Sequence, residues 1–186
     1  MRLTNGKVFL ISMLVGIVCI MSYEWITKTP RRFRPEKKVI RQIDPTGVYL
    51  TDQLWESDFA HVKGLQIATI VDMRPDGEAA EQTPSKRVAE LSKQSGIAFE
   101  YVPIPHGDIP PTGVDRLSSI LKKGKRPILL YCRTGKRALR TFCLAEAARK
   151  DGHSAEELST IADGAGFEIK DIQPEIARRI SARSSK

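Results

Sequence analysis

The sequence predicts an α/β fold, a parallel β-sheet flanked by helices, preceded by one N-terminal transmembrane helix. Three observations lead there. Short apolar runs alternate with helix-period segments from residue 47 onward, and that β-α-β-α order calls for a parallel sheet covered by helices. One run, Ile67–Met73 (IATIVDM), is continuous and apolar until it ends in polar residues, as suits a strand buried on both faces. Near the N-terminus, Val8–Tyr23 (VFLISMLVGIVCIMSY) carries no charge.

That first segment is read as an uncleaved anchor over residues 1–26. Its apolar stretch is just short of the roughly 20 residues a bilayer span prefers, within reach if interfacial groups snorkel. Tyr23 and Trp25 stand where interfacial aromatics belong. A cleaved secretory signal is the competing reading, with Arg2 and Lys7 as its charged start, but MSYEWITK offers no small-x-small cleavage site. Residues 27–46 follow as a basic, proline-punctuated juxtamembrane linker. Seven Lys/Arg after the span, against Arg2 and Lys7 before it, predict a single-pass membrane protein with the rest of the chain on the cytoplasmic side.

Charge distribution decides what the basic balance means. Of the net +8, residues 1–41 hold nine Lys/Arg against two Asp/Glu (net +7), and residues 42–186 hold 21 against 20 (net +1). No basic stripe is left for the domain, which argues against a nucleic-acid partner. With 41% hydrophobic and 28% charged residues in 186, general disorder, collagen and a polytopic membrane protein are excluded. Three irregularly spaced cysteines and three scattered histidines (His61, His106, His153) form no disulfide framework or metal-ligand pattern, so neither metal nor cofactor is expected.

The elements then follow in order. Val48–Thr51 is a short strand, and Ser57–Lys63 a helix capped by Ser57 and stopped by Gly64. After the IATIVDM strand, Ser85–Ser95 is a helix with Val88, Ala89 and Leu91 on one side, closed by Gly96. Ala98–Val102 is a strand, Val114–Leu121 a helix, and Pro127–Tyr131 (PILLY) a fourth strand. Ala138–Lys150 is a helix, and Ser154–Ile161 another, opened by a Ser154–Glu157 capping box. Gln173–Lys186 reads as a basic helix or frayed tail outside the site, so residues 171–186 are set apart as a C-terminal tail.

The chemistry lies in one loop. PILLY runs directly into Cys132-Arg133-Thr134-Gly135-Lys136-Arg137, and a helix starts at once. Ligands of open α/β sheets bind at the carboxyl ends of strands, where Cys132 stands. Backbone N–H groups of a short strand-to-helix loop converge on an anion in front of the helix, and the same field favours a thiolate at the loop's base. Arg133, Thr134, Gly135 and Lys136 build the anion loop, Gly135 lets it curl, and Arg137 supplies a planar fork for an oxyanion. A sealed core cysteine is the bland alternative, and the basic residues beside Cys132 do not suit it. Cys143 and Cys19 are read as packing residues.

On these residues the segment from Gly47 to about Ile169 resembles the phosphatase-like domain of beta-lactamase hydrolase-like proteins, within the protein-tyrosine-phosphatase-like fold. Three pieces carry the likeness: the turn Arg74-Pro75-Asp76-Gly77-Glu78, the strand end Tyr101-Val102-Pro103-Ile104-Pro105, and the cysteine loop from Tyr131 to Ala138 (YCRTGKRA). The resemblance implies a catalytic domain over residues 47–170 with Cys132 as nucleophile, Arg137 as oxyanion clamp, and Arg74 and Asp76 in support. It also opens two chemistries. Tyrosine phosphatases keep five residues between cysteine and arginine; here there are four, and Ala138 stands in the phosphatase arginine's place. Four is the spacing of single-domain rhodaneses, which carry a persulfide on that cysteine. Asp108, in the loop His106-Gly107-Asp108-Ile109-Pro110-Pro111, matches a phosphatase general acid, and reads equally well as a turn residue beside Gly and Pro.

The expectation is therefore a membrane-anchored cysteine-thiolate enzyme acting on a small anionic substrate or a sulfur donor and acceptor. Sulfane-sulfur transfer through a Cys132 persulfide stands slightly ahead of phosphomonoester hydrolysis through a phosphocysteine, with a non-catalytic anion-binding module third.

Overall fold

The computed structural model describes residues 38–184. The proposed anchor Val8–Tyr23 and most of the basic linker lie outside them. Among the described residues no helix is long and apolar enough to cross a membrane.

Five strands form one mixed sheet in the order β1-β2-β5-β3-β4: β1 Arg41–Asp44, β2 Val48–Thr51, β3 Thr69–Asp72, β4 Ala98–Tyr101 and β5 Ile128–Tyr131. β2, β5, β3 and β4 run parallel, in the register Val48↔Ile128, Thr69↔Ile128 and Thr69↔Ala98. β1 is antiparallel to β2, which corrects the all-parallel expectation. Asp44 turns the chain: its carboxylate accepts from the Thr46 backbone N–H at 2.6 Å, and Gly47 takes φ +90 to close the hairpin. The folded unit also begins earlier than residue 47. Lys38, its side chain 10% exposed, pairs with Asp52 and Asp58 and donates to the Gln53 carbonyl.

The helices are α1 Phe59–Gly64 (after a 3-10 turn Glu56–Asp58), α2 Ser85–Gln94, α3 Pro111–Lys123, α4 Lys136–Ala148, α5 Ala155–Ala165 and, after a second 3-10 turn Lys170–Ile172, α6 Gln173–Ser184. β3 and β5 are buried along their whole length because both of their faces are covered. On one face Ile70, Leu129 and Tyr131 pack against Phe59 and Val62 of α1 and Val88 of α2. On the other, Val71, Leu130 and Cys132 pack with Val114 and Leu117 of α3, Leu139 and Phe142 of α4, Leu158 of α5 and Ile176 of α6. The Ser154–Glu157 capping box is present, Ser154 Oγ accepting from Glu157 N at 3.2 Å and Glu157 Oε2 from Ser154 N at 2.7 Å. α6 is no frayed tail, since Ile176 is fully buried.

At the carboxyl ends of the two central strands, Asp72 and Tyr131 are register partners and both are buried. Asp72 Oδ1 accepts from Arg74 N at 2.9 Å, but Oδ2 and the Tyr131 hydroxyl have no partner in hydrogen-bonding geometry among the described residues. Burial pushes the Asp72 carboxyl up to about 6, and the nearby Tyr131 hydroxyl and the Arg74 N–H offset only part of that. A carboxyl raised in the folded state keeps a proton that the unfolded chain has released. Its ionisation therefore costs stability as pH climbs from about 4 through 6 and keeps that cost above. Asp72→Asn keeps an acceptor for Arg74 N and removes the charge, so it is expected to stabilise the fold by ~2 kcal/mol at pH 8 and by little at pH 4. Urea denaturation at both pH values measures this, and a variant less stable than wild type at pH 8 would contradict it.

Candidate active site

The β5-to-α4 connection is as short as its sequence requires. Four residues, Cys132 to Gly135, separate the last strand residue Tyr131 from the first helical residue Lys136. Gly135 is the helix N-cap at φ +88, and a Cβ there would lie 3.4 Å from the Thr51 carbonyl and 3.5 Å from the Phe167 ring. Left-handed backbone and close neighbours together make the position glycine's. Cys132 is 1% exposed, directly after β5 and beside Arg137.

Arg137 is the most constrained side chain of the site. Its Nη1 donates to Glu78 Oε1 and to the Ile104 carbonyl, both at 2.6 Å, and Nη2 donates to Glu78 Oε2 at 2.7 Å. A guanidinium has five N–H donors, so these bonds use three. Glu78 and Ile104 do not use Nε–H and the second Nη2–H: these form the side-on fork, whose geometry suits an oxyanion bidentately, and Cys132 is the neighbour that interacts with the guanidinium besides them. Burial works against the Arg137 charge, yet Glu78 and Cys132 beside it hold its pKa above the ordinary value. Arg137 in turn holds the Glu78 carboxylate below its usual range, with Arg74 assisting.

Arg74 locks the clamp from behind. It is 3% exposed, donates from Nε to Glu78 Oε2 at 3.0 Å and from Nη1 to Gln53 Oε1 at 2.7 Å. Gln53 also reaches the cysteine loop through its backbone, its N–H donating to the Arg133 carbonyl at 3.3 Å. Asp76 lies elsewhere. Its carboxylate accepts from Ser85 N at 2.7 Å and Ser85 Oγ at 2.6 Å, and so holds the start of α2 rather than the cysteine loop. Its backbone N–H donates to the Tyr101 hydroxyl at 2.9 Å.

A cleft of about 690 Å³ opens over the loop. Arg133, Thr134, Lys136 and Arg137 form one side of it, and His106, Gly107, Asp108 and Ile109 the facing side. The structure thus brings Asp108, exposed, to the same cleft as the anion loop. A third wall was not expected from the sequence: Arg140 and Leu144 of α4 with Asp171, Ile172 and Glu175 from the C-terminal segment. Arg140 pins that segment, Nη1 and Nη2 each donating to an Asp171 carboxylate oxygen at 2.6 Å. Cys143 is buried on α4 in a packing role, its thiol pushed up to about 12 by burial. Among the described residues no cluster of His, Cys, Asp or Glu could hold a metal ion.

Comparison with known proteins places this geometry. Residues 41–149 match the family described as "Beta-lactamase hydrolase-like protein, phosphatase-like domain". A beta-lactamase hydrolase-like protein of Xylella fastidiosa is 24% identical over 102 residues, 54% of this chain and 23% of that protein. The chain thus spans about a quarter of the length of the curated relatives it matches. A solved structure from Neisseria meningitidis, described as a candidate phosphatase, aligns with TM-score 0.66 at 24% identity over 78% of this chain and 99% of that one. The core catalytic domain of PP-IP phosphatase SIW14 from S. cerevisiae aligns at 0.58 and 18% identity, over 81% of this chain and 94% of that one. The shared fold is that of tyrosine-phosphatase-like enzymes. These likenesses favour the phosphatase reading over the sulfur-transfer reading that loop length had put ahead, and none of them speaks for an anchor.

Proposed function

The chain belongs to the phosphatase-like domain family of beta-lactamase hydrolase-like proteins, and from that premise we propose that it hydrolyses phosphomonoesters through a Cys132 phosphocysteine. One observation carries this reading: Glu78 and Ile104 leave the side-on fork of Arg137 to Cys132 and whatever binds beside it, while Asp108 lines the same cleft.

The Cys132 thiolate attacks phosphorus as the ester P–O bond breaks. The equatorial oxygens rest on the loop N–H groups and the side-on fork of Arg137, which is where charge develops. Asp108 gives its proton to the departing oxygen. Water then attacks the phosphocysteine with Asp108 as base, the S–P bond breaks, and inorganic phosphate leaves with the thiolate restored.

The experiment is Asp108→Asn with two aryl phosphates of different leaving-group acidity. Protonation by a positioned acid is worth roughly 100- to 10,000-fold. The poor leaving group is expected to slow by that order and the activated one much less, and equal slowing would remove Asp108 from the mechanism.

A second reading rests on the four-residue loop and on Ala138, fully buried where a tyrosine phosphatase places its arginine. The Cys132 thiolate would take the outer sulfur of thiosulfate as the S–S bond breaks and sulfite leaves, and cyanide would then take that terminal sulfur from the persulfide as thiocyanate, restoring the thiolate. No leaving oxygen needs a proton in that sequence. A mass gain of one sulfur on Cys132, with transfer indifferent to Asp108→Asn, would establish it instead.

A further inference from the structure

The sheet ends on β4, and the outer edge of that strand is bare. Ala98 N–H donates to the Ala68 carbonyl at 3.0 Å and Val102 N–H to the Asp72 carbonyl at 2.8 Å, so this set of alternate residues faces β3. Phe99 and Tyr101, between them, turn their main-chain N–H and C=O groups outward, where no further strand follows among the described residues. The opposite edge is tied to a helix, Arg41 of β1 donating to the Gly164 carbonyl of α5 at 2.7 Å. β4 has no such tie, and its sequence AFEY carries neither the proline nor the lysine that commonly guards an open edge.

A groove of about 600 Å³ runs beside this edge at the amino ends of the strands, the far end of the sheet from Cys132. Ile97 and Ile120 give it an apolar floor. Its charge is one-sided. Lys93, Arg116, Lys123 and Lys125 line it against one carboxylate, Glu100, and Arg116 already holds that carboxylate at 2.6 Å. The three lysines are exposed and pair with no acid among the described residues. Residues 42–186 hold 21 Lys/Arg against 20 Asp/Glu, so folding gathers in one groove a surplus that the chain as a whole does not have.

Unpaired main-chain groups on an edge accept another strand, and unpaired lysines beside it select carboxylates. We propose that β4 and this groove dock an acidic, extended segment of a partner protein, which joins the sheet as a sixth strand. Glu100, reaching Arg116 of α3, marks the side of the strand on which the groove lies, and every second side chain of an added strand points to that side. The segment is therefore read by Asp or Glu at alternate positions, which meet Lys123 and Lys125. A second copy of this chain would bring its own lysine surplus to the same interface. Nucleic acid would supply negative charge but no ladder for Phe99 and Tyr101. Docking at this end leaves the cleft over Cys132 open, so it is independent of either chemistry at that cysteine.

The test is fluorescence anisotropy with the full chain and a labelled heptapeptide in which glutamate and valine alternate, beside its lysine–valine counterpart. The glutamate peptide is expected to bind and the lysine peptide not. Lys123→Glu combined with Lys125→Glu should weaken binding by roughly tenfold or more, because each reversed charge then meets a like charge across the contact, and a thermal melt confirms that the variant is folded. N-methylation of the peptide at one set of alternate residues should cost about tenfold, the worth of two main-chain hydrogen bonds, and at the other set little, because that edge faces water. No binding of the glutamate peptide, or binding unmoved by the double substitution, would overturn the groove as its site. Binding indifferent to both N-methylated forms would be charge attraction without a strand, and would overturn the proposal. A dimer in sedimentation that the same double substitution dissolves would give the edge to a second copy instead.

Discussion

Replacing Cys132 with serine is expected to abolish turnover, by roughly 1,000-fold or more, under either chemistry. A serine hydroxyl at neutral pH is neither a nucleophile toward phosphorus nor a carrier of sulfane sulfur unless a base takes its proton. Arg137 beside it stabilises an anion and accepts no proton. The fold should survive, because Cys132 is 1% exposed at the end of a buried strand and the exchange is nearly isosteric. Steady-state hydrolysis of an aryl phosphate and transfer from thiosulfate, beside a thermal melt, measure all three statements. Full turnover in Cys132→Ser would end the cysteine mechanism, and an unfolded variant would show the thiol to be structural.

Much of this fold was legible because local signals agreed with tertiary demands. Val48–Thr51 matches β2 residue for residue, and PILLY loses only its proline to become β5. A buried parallel strand is a continuous apolar run, and these are such runs. β1 was hidden for the opposite reason. Arg41-Gln42-Ile43-Asp44 has one apolar residue and follows a basic stretch, so its strand exists by pairing with β2 and not by pattern. Gln42 is exposed, and the buried pair Ile43 and Asp44 leans on the hairpin turn and on His153 of a distant segment. The cysteine loop was readable as a motif, but its support was not. Gln53, Glu78 and Ile104 converge on it from three separate loops, and spacing along a chain does not show convergence in space. The C-terminal wall leaves a trace in the sequence, Ile172, Ile176 and Ile180 recurring every four residues, although the segment as a whole is basic through Arg178, Arg179 and Arg183.

The Arg137 fork leads to the second large effect. Arg137→Lys keeps the charge, yet is expected to lower kcat/KM by roughly 100- to 1,000-fold, the usual cost of losing an oxyanion donor. A lysine ammonium has three donors at one point. It cannot hold both Glu78 oxygens and the Ile104 carbonyl while presenting two parallel N–H groups to an oxyanion. Arg133→Lys is the internal control: Arg133 is exposed at the cleft edge, and its change should cost only a few-fold, mainly in KM. Glu78→Gln separates holding the fork from using it. The amide keeps one acceptor for Arg137 and surrenders the bidentate carboxylate, so kcat should fall less than in Arg137→Lys. Combining the two substitutions should cost clearly less than the sum of their separate effects, because once the planar group is gone Glu78 has nothing left to orient. Additive losses would mean that Glu78 and Arg137 act independently. Equal losses at Arg133 and Arg137 would place the oxyanion away from the fork that Glu78 and Ile104 leave unused.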